Sequence, residues 1–226
     1  MIQVRPMKIK IHILSLLFVS ISQIGISQKE THFENWTYFS VEKKTEKFSF
    51  DIEQAWRVRE FYLSRQTYTD FTGSYKALPF LDISSGYRLT FKNSMFNATE
   101  VNHRLYLDVA VSKKFGNFDF SFRTRLQHTR LQWEDDYGLP YQTFSRNKFK
   151  VKYKLNEFVA ISGGYEFFLF IIPSGSFINE NRFSLDSQFK IGDKWSINAG
   201  YIFRNWIQQD PLQNINIMNL GVNYKL

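Results

Sequence analysis

Charged side chains recur at every second position of several segments, and the chemistry they offer is electrostatic before it is catalytic. Glu53, Arg57, Arg88, Arg104, Asp108, Arg123, Arg125, Glu166, Asp186 and Arg204 each sit within an alternating segment, where one face of an extended chain collects them. With Asp51, Arg59, Lys76, Asp82, Asp119, Lys148, Lys150, Lys152, Lys154, Arg182 and Lys190, that face carries seven acids against fourteen bases. Enclosed by a low-dielectric wall, such a set can pair off into a salt-bridged plug, because an unpaired buried charge is expensive. Alternatively its positive excess attracts anions, making a narrow anion-preferring passage. The run Lys148, Lys150, Lys152, Lys154 reads as a solvated rim more readily than as a ligand site.

Two histidines are the candidates for general-base work that the pattern brings together. His103 and His128 fall on the apolar face of one hairpin and would be diagonal neighbours near its open end. Nucleophilic catalysis needs a hydroxyl within reach of the base and a third group to orient it. The adjacent residues Arg104, Leu105, Thr129 and Arg130 include no serine, so two interfacial histidines beside lipid headgroups is the plainer reading. The acids Glu134, Asp135 and Asp136 point apart on an extended chain and read as solvated, not as a cation site. Arg130 and Arg146 are candidates for contact with lipopolysaccharide phosphates. The sequons at Asn35 and Asn97 are expected by chance, and no phosphate loop, metal-binding histidine pair or dinucleotide fingerprint occurs, so neither a metal nor a cofactor is expected.

Almost all these residues lie on segments of period two. Phe48, Phe50, Ile52, Trp56 and Val58 alternate with Ser49, Asp51, Glu53, Arg57 and Arg59; Phe118, Phe120 and Phe122 alternate with Asp119, Ser121 and Arg123. Eleven such strands are legible, at about 33–41, 47–59, 68–77, 81–91, 101–111, 118–126, 148–155, 159–169, 182–191 and 195–203, with a last one closing at Leu226. Gly116-Asn117 reads as a two-residue hairpin turn that sets Phe115 opposite Phe118, Asp108 opposite Arg125 and Leu107 opposite Leu126. Short connections at 42–47, 79, 116–117, 156–158 and 192–194 alternate with longer polar ones at 60–67, 93–100, 134–143, 173–181 and 208–214.

Composition narrows the class. The 226 residues include 24 Phe, 12 Tyr, 5 Trp and no Cys, which excludes a disulfide scaffold and a thiolate site. Residues 1–27 read as an export signal: Arg5, Lys8 and Lys10 precede an apolar stretch, and Gly25 and Ser27 suit a cleavage site. Its removal leaves a domain at 28–226 with 26 basic and 21 acidic residues, and weakens any argument for nucleic acid. Past this segment no apolar run approaches the ~18 residues of a spanning helix.

Export, long strands, charges in mid-strand and aromatics near strand ends (Trp56, Trp133, Tyr153, Trp195, Trp206, Tyr224) together predict an all-β, antiparallel, up-and-down transmembrane barrel. Its short turns would be periplasmic and its longer loops extracellular. Ten to twelve strands are expected, with twelve favoured, because a cleaved chain starting in the periplasm would need residues 28–35 as a further crossing. The segments Lys152-Tyr153-Lys154-Leu155-Asn156, Ile161-Ser162-Gly163-Gly164-Tyr165, Asn181-Arg182-Phe183-Ser184-Leu185 and Leu220-Gly221-Val222-Asn223-Tyr224-Lys225-Leu226 resemble the Bacteroidetes-type outer-membrane barrels of domain of unknown function 2490. That resemblance implies an outer-membrane barrel without assigned activity. The expected protein is therefore a non-enzymatic barrel of a Gram-negative outer membrane, a structural or narrow passage protein. Its expected partners are outer-membrane lipids, including lipopolysaccharide, and the barrel-assembly machinery. A lipid-modifying enzyme using His103 and His128, and a soluble periplasmic β-sandwich, are the alternatives.

Overall fold

The period-two segments form eleven strands: β1 (Glu30–Lys44), β2 (Phe48–Arg59), β3 (Leu63–Leu78), β4 (Leu81–Asn93), β5 (Thr99–Phe115), β6 (Phe118–Arg130), β7 (Tyr141–Lys154), β8 (Val159–Ile172), β9 (Gly175–Ile191), β10 (Trp195–Trp206) and β11 (Gln213–Lys225). The computed structural model describes residues 30–59, 63–93, 99–133, 138–207 and 213–226. The expected export signal at 1–27, the acids Glu134, Asp135 and Asp136, and Asn97 lie outside the described residues. No helix among the described residues is long and apolar enough to cross a membrane.

Each strand pairs antiparallel with its sequence neighbours, and the sheet closes on itself as a barrel. An up-and-down chain with an odd number of strands has its first and last strands running the same way. The ring therefore closes by parallel pairing of β1 with β11, from Glu30 opposite Gln213 to Glu42 opposite Lys225. Eleven lies within the expected range. Among the described residues the favoured twelfth crossing is not found: residues 30–35 lengthen β1 instead of forming a separate strand. The register read from Gly116-Asn117 holds along all of β6 and from His103 to Phe115 of β5, with Gly116 at a φ of 56° as a two-residue hairpin requires. One expected loop is a tight turn. Pro173-Ser174 joins β8 directly to β9, and the polar residues that follow are strand.

The sorting of side chains is inside out relative to a soluble domain. Leu105, Phe50 and Phe149 are 63%, 59% and 53% exposed, whereas Asp70, Glu34 and Glu166 are 3%, 3% and 4% exposed. No second sheet covers the apolar face, which removes the sandwich alternative. On β6 the outward residues run from Phe118 to His128, ten residues further along the strand. At ~3.4 Å per residue and a tilt of ~40° this spans about 25 Å. Aromatic rings flank the band at the short-turn end, where Phe118 and Tyr153 lie 4.8 Å apart and Trp195 and Tyr224 4.6 Å apart, centroid to centroid. Trp206, expected in such a girdle, instead packs inside against Trp36, Ile215 and Ile217.

Glycine has a positional role at the seam. Gly221 lies opposite Tyr38 across the parallel pair, and a Cβ there would fall within the Tyr38 ring. The tyrosine covers the gap that the glycine leaves, and its hydroxyl accepts a hydrogen bond of 2.6 Å from Asn198. Overpacking of this kind costs about 1–3 kcal/mol. Gly221→Ala is expected to lower the urea midpoint of the refolded barrel, and Tyr38→Ala in the same chain to recover part of the loss, as read by the shift in gel mobility between folded and unfolded forms.

Candidate functional site

Inward positions of consecutive strands stack their charges into layers, because neighbours in register share a face. All ten residues singled out from sequence lie on inward positions. Arg125 makes a fork to Asp108 at 2.6 and 2.7 Å. Arg123 and Arg146 share Glu166 at 2.9 and 3.0 Å. Arg88 pairs with Asp70, and the Tyr68 hydroxyl donates to Glu53 at 2.9 Å. Arg204 reaches Glu180 at 3.1 Å and Glu34 at 3.6 Å, and Glu180 also holds Arg182. Asp186 lies opposite Gly200 and crowds the space a side chain there would need. Arg57 and Arg104 differ from the rest. Among the described residues neither has a carboxylate partner; Arg57 donates to Gln66 at 3.3 Å and Arg104 to Thr129 at 2.9 Å.

Aromatic faces hold these guanidiniums in place. Arg57 lies 3.8 Å from the Trp36 centroid, Arg88 3.8 Å from Tyr68, and Arg125 3.7 Å from Tyr106. Arg146 and Arg182 both lie over Phe168, at 4.5 and 4.4 Å. Stacking of this kind favours arginine over lysine and fixes the plane of each fork.

The network divides the lumen into two unlike halves. Toward the long-loop rim the interior is filled: Trp36, Phe168, Phe170, Ile215 and Ile217 are buried, as are Thr90, Asn102, Gln127 and Thr129. Toward the short turns it is hollow. A cavity of about 830 Å³ is lined by Lys44, Lys114, Lys152, Lys154, Lys190, Lys194 and Lys225, seven cations against the five acids Glu42, Asp51, Asp119, Glu157 and Asp193. Beneath it, meeting it at Asp51, a cavity of about 340 Å³ is lined by seven cations (Arg57, Arg88, Arg123, Arg125, Arg146, Lys148, Arg182) against Asp51, Glu53, Asp70 and Glu166. The chamber is thus basic throughout, lysine at its mouth and arginine at its floor.

Several assignments from sequence change. Arg146 does not face outward toward lipopolysaccharide; it has the same parity as Lys148 and enters the network through Glu166. Of the lysine run, Lys154 lies exposed at the short-turn mouth, Lys152 lines the chamber and donates to Gln188 at 2.6 Å, and Lys148 lines its floor. Glu34, Asp70 and Glu180 were not among the expected lumen acids, although strand parity with Trp36, Tyr68 and Arg182 would have found them.

His103 and His128 face outward as expected, His103 opposite Arg130 and His128 opposite Leu105. Each ring meets a hydroxyl that adjacency in sequence does not reveal: Tyr87 lies 2.7 Å from His103 Nδ1, and Thr143 lies 2.9 Å from His128 Nδ1. Neither imidazole has a carboxylate partner among the described residues, so the orienting member of a triad is lacking there.

Fold and site together define an eleven-stranded barrel with an inward charge network and a one-ended basic chamber. Residues 33–216 match the family described as Protein of unknown function (DUF2490), and the chain belongs to that family. No curated protein matches it. Two solved structures are similar at 11% identity: "Anion-selective porin from Comamonas acidovorans", with 79% of this chain and 55% of that chain covered and a TM-score of 0.37, and "Outer-membrane expressed OmpT of Vibrio cholerae", with 73% and 54% covered and a TM-score of 0.39. The chain spans about half the length of either.

Removing one partner of a buried ion pair leaves an uncompensated charge, at a cost of about 3–5 kcal/mol. Glu166→Gln strands two guanidiniums at once and is expected to destabilise the barrel by that order in urea. Arg146→Met on the Glu166→Gln background should recover part of the loss, which a double-mutant cycle measures.

Proposed function

We propose that the protein is an exported, non-enzymatic β-barrel of a Gram-negative outer membrane, a structural barrel whose lumen is shut across its long-loop half. The observation that carries this reading is the inverted sorting of side chains. An apolar belt about 25 Å tall surrounds a closed ring whose charges point inward, and a bilayer is the solvent that makes this arrangement favourable. Short turns would face the periplasm and the opposite rim the exterior, where the exposed Arg130 is available to lipopolysaccharide phosphates. The basic residues that give the chain its net charge lie largely within the wall, which argues against nucleic acid as a partner. A narrow anion-preferring passage is the second reading, favoured by the excess of cations in the lumen.

The protein is expected in the carbonate-resistant outer-membrane fraction with heat-modifiable mobility; recovery in the soluble periplasm would overturn the location. In planar bilayers the wild-type barrel is expected to carry no steady current, and Trp36→Ala with Phe168→Ala to open an anion-preferring one. A large wild-type conductance, or preference for cations, sinks the reading of a shut, positive lumen. Replacing His103 and His128 by alanine is expected to leave membrane lipid composition unchanged; altered phospholipid turnover would revive the enzyme alternative.

A further inference from the structure

The hollow half of the lumen has features that a salt-bridged plug does not need. Among the described residues it opens toward the short turns, and Trp36 lines its far end, with Phe168 and Ile217 buried in the same half. Its cations outnumber its carboxylates in both cavities, although paired charges in equal number would fill the barrel at lower cost. At the floor, Arg57 has no carboxylate beside it among the described residues, and Arg123 and Arg146 have one carboxylate, Glu166, between them. Lys148 lines the same floor, pointing in from β7 opposite Glu166 on β8. These groups come from β2, β6 and β7, so they approach the floor cavity from different sides of the wall. The planes of Arg57 and Arg146 are set in advance by Trp36 and Phe168, so these two guanidiniums need little ordering when a ligand arrives.

From this we infer that the chamber binds a small phosphate-bearing polyanion admitted through the short-turn rim, its most highly charged group resting among Arg57, Arg123, Arg146 and Lys148 and the remainder among the lysines of the mouth. The inference rests on the barrel reading above and names the ligand class of that same lumen. Phosphate suits the floor better than carboxylate does. Fixed guanidinium forks recognise tetrahedral oxyanions through paired donors, and several cations converging from different sides match several oxygens on one centre. The floor cavity is too small for a folded macromolecule, whereas the upper cavity is the size of ordinary small-molecule sites.

Titration calorimetry on the refolded, heat-modifiable barrel in detergent tests this, with tripolyphosphate, orthophosphate and citrate as probes. Tripolyphosphate is expected to bind saturably at one site, about tenfold or more tighter than citrate, with orthophosphate weaker and with affinity falling as salt rises. Lys148→Gln and Lys152→Gln should each weaken it by about tenfold, whereas Lys113→Gln, on the outer face, should not. A second readout uses the absence of cysteine: Lys152→Cys is expected to react with a charged thiol reagent, and tripolyphosphate to slow that reaction. Absent saturable binding, equal affinity for citrate, or indifference to both lumen substitutions overturns the inference. A barrel that is recovered from the outer membrane and binds nothing refutes this inference alone, whereas recovery outside the membrane refutes the reading on which it rests.

Discussion

A ring of strands with an apolar outer surface leaves its inward charges only each other and whatever water the lumen admits. The rest of the structure follows from that constraint. Carboxylates are shared, Glu166 between Arg123 and Arg146 and Glu180 between Arg182 and Arg204, because the inward guanidiniums outnumber the acids that can reach them. The choice between arginine and lysine follows hydration. Guanidinium is weakly hydrated and stacks on rings, so it occupies the middle of the barrel; ammonium is strongly hydrated and sits where water reaches it from the short turns.

The two halves of the interior are different solutions to one filling problem. Above the arginines, Trp36, Ile215 and Ile217 form a small apolar core with Ile202 and Trp206 packed against it. Phe144 stacks on Phe170 with centroids 4.7 Å apart, while Phe177 meets Phe170 edge-on at 5.7 Å. Below, lysines line the hollow half of the lumen. The boundary between dry and wet is a layer of stacked guanidiniums, which can face both.

What the sequence made legible was whatever is local. The turn at Gly116-Asn117 sets the register of β5 and β6 through neighbours close in the chain, and the alternation of Phe118, Phe120 and Phe122 with charged and polar partners fixes which face is outside. The barrel follows from the same pattern, whereas the family resemblance rests on particular segments such as 152–156 and 220–226. Less was legible where the interior is apolar, because the rule of polar-inside fails at Trp36, Tyr68 and Phe168, and the acids Glu34, Asp70 and Glu180 beside them were missed. Glu180 was missed because 173–181 read as a loop, whereas β9 runs through it, with a bulge before it where Phe168 pairs with Glu180 and Leu169 with Ile178. Eleven strands were legible, but the parallel closure of β1 on β11 was not, since no turn chemistry records which strand the first one meets.

That last pairing has a consequence for how the molecule comes into being. Ser40 and Asn223, hydrogen-bonded at 2.8 Å, are 183 residues apart, so the contact that ends the sheet's two raw edges must wait for nearly the whole polypeptide. Until then the growing meander exposes unpaired backbone at both margins, the condition in which strands join to strangers. Loss of any terminal strand would not thin the wall but would leave it a curled sheet with a slit from rim to rim.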